Sequence, residues 1–375
     1  MRIVFPVIDG LLRYTSELAN ELARRHQVSL VILDGTAALT GNRSDFERAA
    51  REILIPEVEL VVVARWRKRD IRSMWTVAQA AAYTHRFRPD MFHLMDDMDY
   101  RVLMLTGLFS RVPRVLTVHD VELHLGEEHT RRRFEVWLRP VVRRWVSQVV
   151  VHGESLRDKI IARDGVPPER IHVVPMGADT LLHRWAIPGL KDDGRTVLFF
   201  GRMWRYKGLE TLARAEPLIT ASFPDVRIVV AGRGPDLDHW IPVLEERRAF
   251  DIINDFVSDR EAAELFQKAS VVVLPYLQAS QSAVLTTAYA FGKPVVASRV
   301  GGLPDLVDDG GTGLLVPPGD AEALADAVIK LLSDDKLRRR IGLNAAHKAK
   351  DELSWAAVAR QTEDIYAQSV SSSHR

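Results

Sequence analysis

The stretch TVLFFGRMWRYKGLETLARA, residues 196–215, contains one complete strand, loop and helix unit. Its first five residues form a short apolar run that predicts a buried parallel strand, and the residues after Gly208 predict a helix. In the loop between them, Gly201 permits a tight turn, and Arg202 and Lys207 place two cations at the entrance of the helix. Cations, free amides and a helix N-terminus together favour a diphosphate. The alternative is a surface loop with two solvated charges.

Units of this kind recur on both sides of that stretch, because short apolar, β-branched runs alternate with helix-like segments. The pattern predicts an α/β fold of two doubly wound units, each with a parallel sheet buried on both faces. A capping box at Ser258 and Glu261, and a capping residue at Asp320, mark two helix starts. The predicted strands are residues 2–7, 28–33, 60–63, 91–94, 115–118, 149–151 and 171–174 in the first half, and 196–200, 227–231, 271–274, 294–297 and 314–316 in the second.

The length of 375 residues exceeds the usual size of one hydrophobic core, so we expect two domains. Residues 177–195 contain Pro188, Gly189 and Gly194 without clear periodicity, and they predict the boundary. We therefore divide the chain into residues 1–178, residues 179–353 and a terminal helical segment, residues 354–375. Because ligands bind outside the carboxyl ends of parallel strands, residues directly after strands are the candidate site.

The composition is that of an ordinary globular protein, with 47% hydrophobic and 27% charged residues. These values exclude disordered, fibrous and membrane-spanning classes. The chain has no cysteine, which excludes a disulfide framework or a thiolate metal site and fits a reducing compartment. A net charge of +1 is too small for a nucleic-acid footprint, so no nucleic-acid partner is expected.

The first residues, MRIVFPVIDG, begin a predicted strand and lack the features of a secretory signal. No apolar run approaches the roughly 18 residues that span a bilayer, so we expect a cytoplasmic location. Two basic segments, RWRKRDIR at 65–72 and RRRFEVWLRPVVRRW at 131–145, interleave Arg with Trp. Each is either a peripheral contact with an anionic inner membrane surface or an ordinary solvated helix face.

Small polar residues and glycines follow two further strands of the second half. The segment SQSAV, residues 280–284, begins a predicted helix, where amides can bind phosphate oxygens and hydroxyls can bind a sugar or ribose. An ordinary helix cap is equally compatible with this pattern. Gly301 and Gly302 follow the next strand, and their alternative interpretation is a glycine-rich hairpin.

In the first half, His119 and Asp120 stand at the carboxyl end of the predicted strand 115–118. A histidine there can hydrogen-bond a substrate hydroxyl or stabilise developing charge, although lone histidines are usually structural. Asp9, Gly10 and Arg13 follow the first strand and open a helix, which indicates a close-approach loop for phosphate or acceptor.

An acidic cluster, Asp96, Asp97 and Asp99, follows the predicted strand 91–94. It could coordinate a hard cation, but its spacing fixes no cage geometry, and a solvated loop is the simpler interpretation. We therefore expect neither a metal nor another cofactor.

Eight segments in one order carry a resemblance across nearly the whole chain. They are DGLLR, LTVHD, VVVHGESLRD, IHVVPMGAD, FFGRMWRYKGLE, VVAGRGPD, VVLPYLQASQSAVLTTAYAFGKPVVAS and GGLPDLVDDGGTGLLVPPGD. In this order they resemble the retaining glycosyltransferases of the GT-B fold, glycosyltransferase family 4, in the branch with an ASQSG-like donor loop. The resemblance implies two Rossmann-like domains facing across a cleft, a donor held mainly by the second, and a final helix near residues 354–368 that crosses back onto the first.

The resemblance also implies roles for single residues. Arg202 and Lys207 match the pair that grips the donor diphosphate, and His119 matches the histidine at the sugar transfer centre. Gly10 matches the second glycine of the first loop, where Asp9 replaces another glycine. The remaining donor-side candidates are Gly201, Gly234, Ser280, Gln281, Ser282, Ala283, Val284 and Thr287, and the acceptor or sugar side comprises Asp9, Arg13, Asp120, His152 and Gln278.

The chain departs from the family at two glutamates, whose positions hold Ala279 and Thr287. In the ASQSG-like branch an acid often precedes the loop, and Gln278 stands there, while Ala283 replaces the glycine. Arg202, Lys207 and helix-terminal amides can still stabilise a departing diphosphate without strong acid assistance.

The expected function is retaining transfer of a hexosyl group from a UDP- or GDP-sugar to a hydroxyl of a glycan, lipid-linked saccharide or small natural product. The alternative function is that of a non-catalytic subunit or regulator that has the same fold and still binds the diphosphate of a nucleotide sugar.

Overall fold

The computed structural model describes residues 1–8, 11–33, 43–63, 70–95, 99–121 and 133–373. These residues form two compact units. The first unit contains the described residues from Met1 to Pro175 together with the C-terminal helix from Trp355, and the second contains Met176–Ser354. Each unit is built around one parallel sheet.

The described part of the first unit has a seven-stranded sheet in the order β3-β2-β1-β4-β5-β6-β7. All its strand pairs are parallel. Its middle strands are buried along their whole length, which fits the mainly apolar character of their sequences. The strands are β1 (Arg2–Val7), β2 (Gln27–Ile32), β3 (Val58–Val62), β4 (Met91–Met95), β5 (Arg114–Thr117), β6 (Gln148–Val151) and β7 (Ile171–Val173).

The second unit has a six-stranded parallel sheet in the order β10-β9-β8-β11-β12-β13. Its strands are β8 (Thr196–Phe200), β9 (Arg227–Ala231), β10 (Phe250–Ile253), β11 (Val271–Leu274), β12 (Val295–Ser298) and β13 (Gly313–Val316). The predicted α/β class with two doubly wound parallel sheets is confirmed.

Helices connect the strands of both sheets. In the first unit they are α1 (Leu12–Ala23), α2 (Arg43–Ile53), α3 (Ser73–Phe87), α4 (Tyr100–Gly107), α5 (Arg133–Trp145) and α6 (Glu154–Asp164). The second unit contains α7 (Leu209–Ser222), α8 (Pro235–Leu244), α9 (Asp259–Lys268), α10 (Ala283–Ala290), α11 (Leu303–Leu306), α12 (Ala321–Ser333) and α13 (Asp335–Lys350), and α14 (Trp355–Ser373) returns to the first. No helix in the described ranges combines the length and the apolar character needed to cross a bilayer.

The sequence analysis missed β10 and shifted several other strand ends by one or two residues. Strand β10 has only four residues, and Asp251 interrupts its apolar run. It lies at the edge of its sheet and pairs with β9 alone, Phe250 opposite Ile228. An edge strand needs less apolar surface than a central one, so its sequence signal is weak.

The local helix signals are confirmed. Ser258 accepts from the Glu261 amide and the Glu261 side chain returns to the Ser258 amide, which completes the capping box of α9. Asp320 caps α12 through the Ala323 amide. These bonds satisfy amides that have no partner within the first turn of a helix.

In each sheet the strand order reverses direction at one strand, β1 in the first unit and β8 in the second. β8 lies between β9 and β11, and β1 lies between β2 and β4. At such a switch point the loops after adjacent strands separate to opposite faces of the sheet and leave a crevice. The loops that follow β8 and β11 therefore border this crevice in the second unit.

Candidate functional site

Lys207 lies in the loop between β8 and α7, at the end of a 3₁₀ turn, Arg205–Lys207. Its side chain is buried, and its Nζ donates a hydrogen bond of 2.9 Å to Tyr276 Oη. Tyr276 follows β11, the neighbour of β8, and the two loops are also joined by the Leu277 amide, which donates to the Tyr206 carbonyl at 2.7 Å. The switch point thus brings the cation and the tyrosine together.

The environment of Lys207 is unfavourable for a lone charge. Burial lowers the pKa of Lys207, and the nearby Arg202 guanidinium lowers it further, while Tyr206 acts in the opposite direction. The Nζ also lies 4.8 Å from the centre of the Tyr276 ring. A buried ammonium with a second cation nearby gains strongly from an anion. The alternative of a solvated surface charge therefore fails for Lys207, whereas Arg202 is exposed.

Two glycines allow this loop to reach its conformation. Gly208 has a φ of 72°, and a Cβ there would lie 1.9 Å from the Pro275 carbonyl oxygen. Gly201 has a φ of 109°, and its Cβ would lie 3.1 Å from Lys207 Nζ and 3.5 Å from the Val284 side chain. Both positions lie in the left-handed region that favours glycine. The close approach of the two loops therefore depends on the absence of a Cβ at Gly201 and Gly208.

The loop before α10 is ordered by its own hydrogen bonds. Ser282 caps α10 by accepting from the Leu285 amide, and its hydroxyl lies 3.3 Å from Tyr276 Oη. The Ser280 carbonyl accepts from the Gly302 amide at 3.1 Å, and Gln281 Nε2 donates to the Gly302 carbonyl at 3.4 Å. The helix-cap interpretation of SQSAV is confirmed, and Gly302 holds this loop through two hydrogen bonds.

The remaining candidates of this loop differ in exposure. Gln278 and Ala283 are exposed, while Ala279, Val284 and Thr287 are buried. The Thr287 hydroxyl donates to the Ala283 carbonyl at 2.7 Å, one turn earlier in α10. Ala279 and Thr287 have no carboxyl group, so neither can replace a glutamate of the family. The Thr287 hydroxyl proton is already engaged within α10.

A cavity of about 500 Å³ opens at the carboxyl ends of β8, β9 and β10. Gly234 lies at its edge as the N-cap residue of α8, and the amide of the nearby Asp236 donates to the Met203 carbonyl at 3.2 Å. Asn254 Nδ2 donates to Asp238 Oδ1 at 3.0 Å across the cavity wall. The lining includes charged residues of both signs: Arg202, Trp204, Arg233, Gly234, Pro235, Asp238, Asn254 and Asp255.

In the first unit, His119 lies beside His152. Their strands β5 and β6 are parallel neighbours in which Thr117 pairs with Val150, so two residues further on His119 stands opposite His152. His152 Nε2 lies 3.1 Å from His119 Nδ1, and His152 Nδ1 donates to the Val174 carbonyl at 2.9 Å. Burial lowers the pKa of His152 to about 3, with the nearby His119 a smaller cause in the same direction. His152 is therefore a neutral ring at physiological pH.

Buried arginines hold the chain just after His119. Arg143 donates to the carbonyls of Asp120 and Val121, and Arg139 donates to the same Asp120 carbonyl. Arg143 is fixed in turn by Asp164, whose Oδ2 accepts from it at 2.7 Å in a fully buried pair. Charge-assisted bonds of this kind restrict the backbone that carries His119.

Aromatic side chains surround the two histidines. The Tyr14 ring on α1 lies edge-on to His119 with centroids 4.7 Å apart, and 5.4 Å from the His152 ring. Trp355, the first residue of α14, packs edge-on against Tyr14 at 5.0 Å. Helix α14 thus contributes to the surroundings of the histidine pair.

A third histidine, His93, lies on β4, the strand next to β5. His93 on β4 lies 2.7 Å from Thr117 Oγ1 and 2.6 Å from Tyr366 Oη on α14. Burial lowers the pKa of His93 to about 3, and the neighbouring His119 and His152 act in the same direction. His93 is therefore a neutral structural link between the sheet and α14.

Two family models match this chain. The model described as Glycosyltransferase Family 4 matches residues 8–181, and the model described as Glycosyl transferases group 1 matches residues 194–334. The D-inositol 3-phosphate glycosyltransferase of Corynebacterium diphtheriae is 37% identical over 313 residues, which cover 76% of this chain and 72% of that protein. The chain is a member of glycosyltransferase family 4.

Other relatives of this glycosyltransferase family member align over different shares of their length. The D-inositol 3-phosphate glycosyltransferase of Corynebacterium aurimucosum is 36% identical over 60% of this chain, and the match spans 57% of that protein. The α-maltose-1-phosphate synthase of Mycolicibacterium smegmatis is 30% identical over 70% of this chain and 74% of its own length.

Solved structures match the glycosyltransferase along nearly its whole length. Sucrose-phosphate synthase from Thermosynechococcus elongatus has a TM-score of 0.76 at 21% identity and covers 99% of this chain and 100% of its own. HepE from Anabaena, in complex with UDP-glucose, has a TM-score of 0.72 at 20% identity, with the same coverage. These likenesses, with the two parallel-sheet units, confirm the GT-B fold.

The structure brings the candidates of the glycosyltransferase into two groups, one in each unit. Lys207, Gly201, Ser282 and Val284 lie together in the second unit, and His119, Asp120 and His152 lie together in the first. Arg13 is half-buried on α1, one residue before Tyr14. Asp9 and Gly10 lie outside the described residues.

Asp99 does not belong to a metal site within the part of the chain that the structure describes. It caps α4 through the Arg101 amide, and its carboxylate forms a buried ion pair with the Arg101 guanidinium at 2.7 Å. Asp96 and Asp97 lie outside the described residues, and no cluster of potential metal ligands occurs among those described.

Sequence reasoning missed Tyr276, Tyr14 and Trp355. Each had a positional signal: Tyr276 follows a buried strand, Tyr14 adjoins Arg13, and Trp355 starts the final helix. Aromatic residues at such positions usually belong to a core, so their spacing alone does not indicate a site.

Proposed function

We propose that this protein transfers a hexosyl group from a UDP- or GDP-sugar to an acceptor hydroxyl with retention at the anomeric carbon. The observation that carries the proposal is the buried Lys207 ammonium, held by Tyr276 Oη in the loop after β8 with Arg202 nearby. A desolvated cation beside the amides at the start of α10 suits the two charges of a diphosphate.

In the proposed reaction, the bond from the anomeric carbon to the diphosphate oxygen breaks as the bond to the acceptor oxygen forms on the same face. The proton of the acceptor hydroxyl passes to the departing diphosphate. Lys207 and Arg202 stabilise the charge that develops on this leaving group, so the proposal invokes neither a metal nor another cofactor. In this proposal His119 contacts the sugar, Arg13, Asp120 and Gln278 belong to the sugar or acceptor vicinity, and His152 belongs to it through its contact with His119.

The donor-side groups have distinct parts in this proposal. Gly201 leaves room for the diphosphate beside Lys207, the amides at Gly234 and along Ser280–Val284 approach it, and the cavity lined by Arg202, Trp204 and Asn254 receives the nucleoside. Its volume of about 500 Å³ is adequate for a base and ribose.

Relatives and a structural neighbour support a hydroxylated acceptor and a sugar nucleotide donor. The names of two of them specify D-inositol 3-phosphate and α-maltose-1-phosphate, and a structural neighbour was solved with UDP-glucose. These names describe those proteins, and for this chain we propose only the shared chemistry, a hydroxyl attacking an activated hexose.

The decisive experiment incubates the purified protein with UDP- and GDP-hexoses, with and without inositol phosphate as acceptor. We expect one nucleotide sugar to raise the apparent melting temperature and to be hydrolysed or transferred, with an α-linked product from an α-linked donor. Absence of binding, hydrolysis and transfer with all these donors would overturn the proposal. A β-linked product would overturn retention alone.

A second candidate function is a non-catalytic subunit or regulator that binds a nucleotide sugar. It is favoured by the buried Ala279 and by Thr287, whose hydroxyl is bonded within α10, at positions where the family has glutamates. Nucleotide binding without turnover, together with a stable protein partner, would support this candidate. Efficient transfer by the isolated chain would eliminate it.

We also propose a peripheral contact between the first unit and the cytoplasmic face of a membrane, with a lipid-linked acceptor. Ile71, within the basic segment 65–72, is 83% exposed, and Trp75, in the first turn of α3, is 64% exposed; residues 65–69 of that segment lie outside the described residues. In the other basic segment, Trp145 packs against the Arg114 guanidinium at 4.1 Å, which favours a structural role. Flotation with anionic liposomes that is weakened by salt would support the contact, and no flotation would exclude it.

A further inference from the structure

The hydrogen bonds of the Val174, His152 and His119 chain fix where its protons lie. The Val174 carbonyl can only accept, so His152 Nδ1 carries a proton and donates to it at 2.9 Å. A neutral His152 then has its lone pair on Nε2, the atom that faces His119 Nδ1 at 3.1 Å. His119 Nδ1 must therefore be the donor of that bond.

This direction determines what His119 offers at its other nitrogen. In its neutral form His119 carries one proton, which is engaged on Nδ1, so the lone pair of this form lies on Nε2. Such a nitrogen accepts a hydrogen bond from a hydroxyl, and it has no proton to give to a carbonyl or phosphate oxygen. The ligand group that suits it is a sugar or acceptor hydroxyl.

We propose that His152 is a positioning residue that holds His119 in the Nδ1–H tautomer, so that His119 Nε2 accepts a hydrogen bond from a ligand hydroxyl. This inference rests on the proposed function for the identity of the ligand, but the tautomer itself is a property of the protein alone. His152 acts through His119 and has no direct part in the reaction.

Three structural features hold the pair in register. The parallel pairing of β5 and β6 sets the two rings opposite each other, and Arg143 fixes the carbonyls of Asp120 and Val121 next to His119. Tyr14 packs against both rings and limits their rotation. A His119 ring that packs against Tyr14 and is hydrogen-bonded to His152 keeps one orientation, which a tautomer-dependent hydrogen bond requires.

The first test is nuclear magnetic resonance of the full chain with ¹⁵N-labelled histidine at pH 8, with His119→Gln used to assign the signal. We expect the wild-type His119 to show a protonated Nδ1 and an unprotonated Nε2. In His152→Leu, which removes the acceptor, His119 should lose this single tautomer. A protonated Nε2 in the wild-type protein would overturn the proposal, whatever the activity.

The second test compares kcat/KM for hydrolysis or transfer of the accepted UDP- or GDP-hexose. His152→Leu should lower it by about tenfold, the loss expected for one misdirected hydrogen bond. His152→Gln should recover most of it, because an amide oxygen can accept from His119 while the amide nitrogen donates to Val174. Equal losses in both variants, with unchanged thermal unfolding, would overturn the positioning role.

His172 provides the matched control. It lies on β7 in the same unit and is hydrogen-bonded to Gln148 at 2.9 Å, outside the histidine pair. His172→Leu should leave both the His119 tautomer and kcat/KM unchanged. If no variant, including the wild type, acts on any sugar nucleotide, the proposed function fails while the tautomer measurement still decides the role of His152.

Discussion

Lys207 Nζ donates to Tyr276 Oη over 2.9 Å, and both side chains are buried. The pair joins the loops after two adjacent strands at the switch point of the second sheet. A buried ammonium whose described hydrogen bond is to a neutral hydroxyl is incompletely compensated. This residue therefore costs the folded protein free energy that a bound anion would recover.

The first prediction concerns Lys207→Met. We expect nucleotide diphosphate affinity to fall by about 10- to 100-fold, the loss of a charge-assisted bond of about 1.5–3 kcal/mol. Because the folded pKa of Lys207 lies below its unfolded value, the charged lysine destabilises the fold at neutral pH, and this cost is relieved only as the pH rises toward about 10.5. The melting temperature of the variant should therefore match or exceed that of the wild type.

Titration calorimetry with UDP and GDP, and thermal unfolding, measure both parts of this prediction. Lys330→Met, which changes an exposed lysine on α12, is the control and should affect neither quantity. Unchanged affinity in Lys207→Met would remove the diphosphate assignment, and a large drop in melting temperature would indicate a structural lysine.

The second prediction concerns Tyr276→Phe, which removes the acceptor of Lys207. We expect the free energy of unfolding to fall by about 1 kcal/mol and the nucleotide affinity to fall several-fold. The reason is that Lys207 Nζ loses the hydrogen bond to Tyr276 Oη that fixes its position. Tyr289→Phe is a matched control, since its buried hydroxyl bonds Thr312 at 2.6 Å in the same unit. Similar losses of affinity in both variants would contradict a specific role for Tyr276.

The third prediction compares two glycines with similar φ. Gly208→Ala, at φ 72°, should lower the unfolding free energy by more than about 2 kcal/mol, because its Cβ would lie 1.9 Å from the Pro275 carbonyl oxygen. Gly165→Ala, at φ 63° with nothing within 4 Å of its Cβ, should cost only about 1 kcal/mol. Urea unfolding measures both, and equal costs would show that the loop after β8 relaxes around the added carbon.

The fourth prediction is a loss of stability in acid. His93 and His152 have folded pKa values of about 3, below the unfolded value of about 6.5. Their contribution to stability is present above about pH 6.5 and is lost as the pH falls toward 3, with a slope of up to about 1.4 kcal/mol per pH unit for each. Glutamine in His93→Gln can keep the hydrogen bonds to both hydroxyl partners but takes up no proton. This variant should therefore reduce the slope by up to about 1.4 kcal/mol per pH unit, the contribution of one proton.

Urea unfolding between pH 7 and pH 4 measures that slope. The exposed His85 on α3 supplies the control, since His85→Gln should leave the slope unchanged. A slope in His93→Gln as steep as in the wild type would show that His93 does not take up a proton on unfolding in this range.

The sequence by itself determined the fold class and the positions of most candidate residues. Continuous apolar runs such as 271–274, bounded by turn residues, predict strands buried on both faces, and parallel strands place the residues that follow them at one edge of a sheet. That rule alone put His119, Arg202 and Lys207 on the ligand side of their units. The apolar-run criterion did not detect β10, because a four-residue strand at a sheet edge has too short an apolar pattern.

Only the tertiary structure decided which of these residues act on one another. The order of strands makes β8 and β11 neighbours, which joins Lys207 to Tyr276 across 69 positions of sequence, and the register of β5 and β6 sets His119 opposite His152. Burial then showed that Lys207 is a desolvated cation and not the solvated charge of the alternative interpretation. Pairing and burial arise from contacts between distant segments, and the local patterns of a single chain do not contain them.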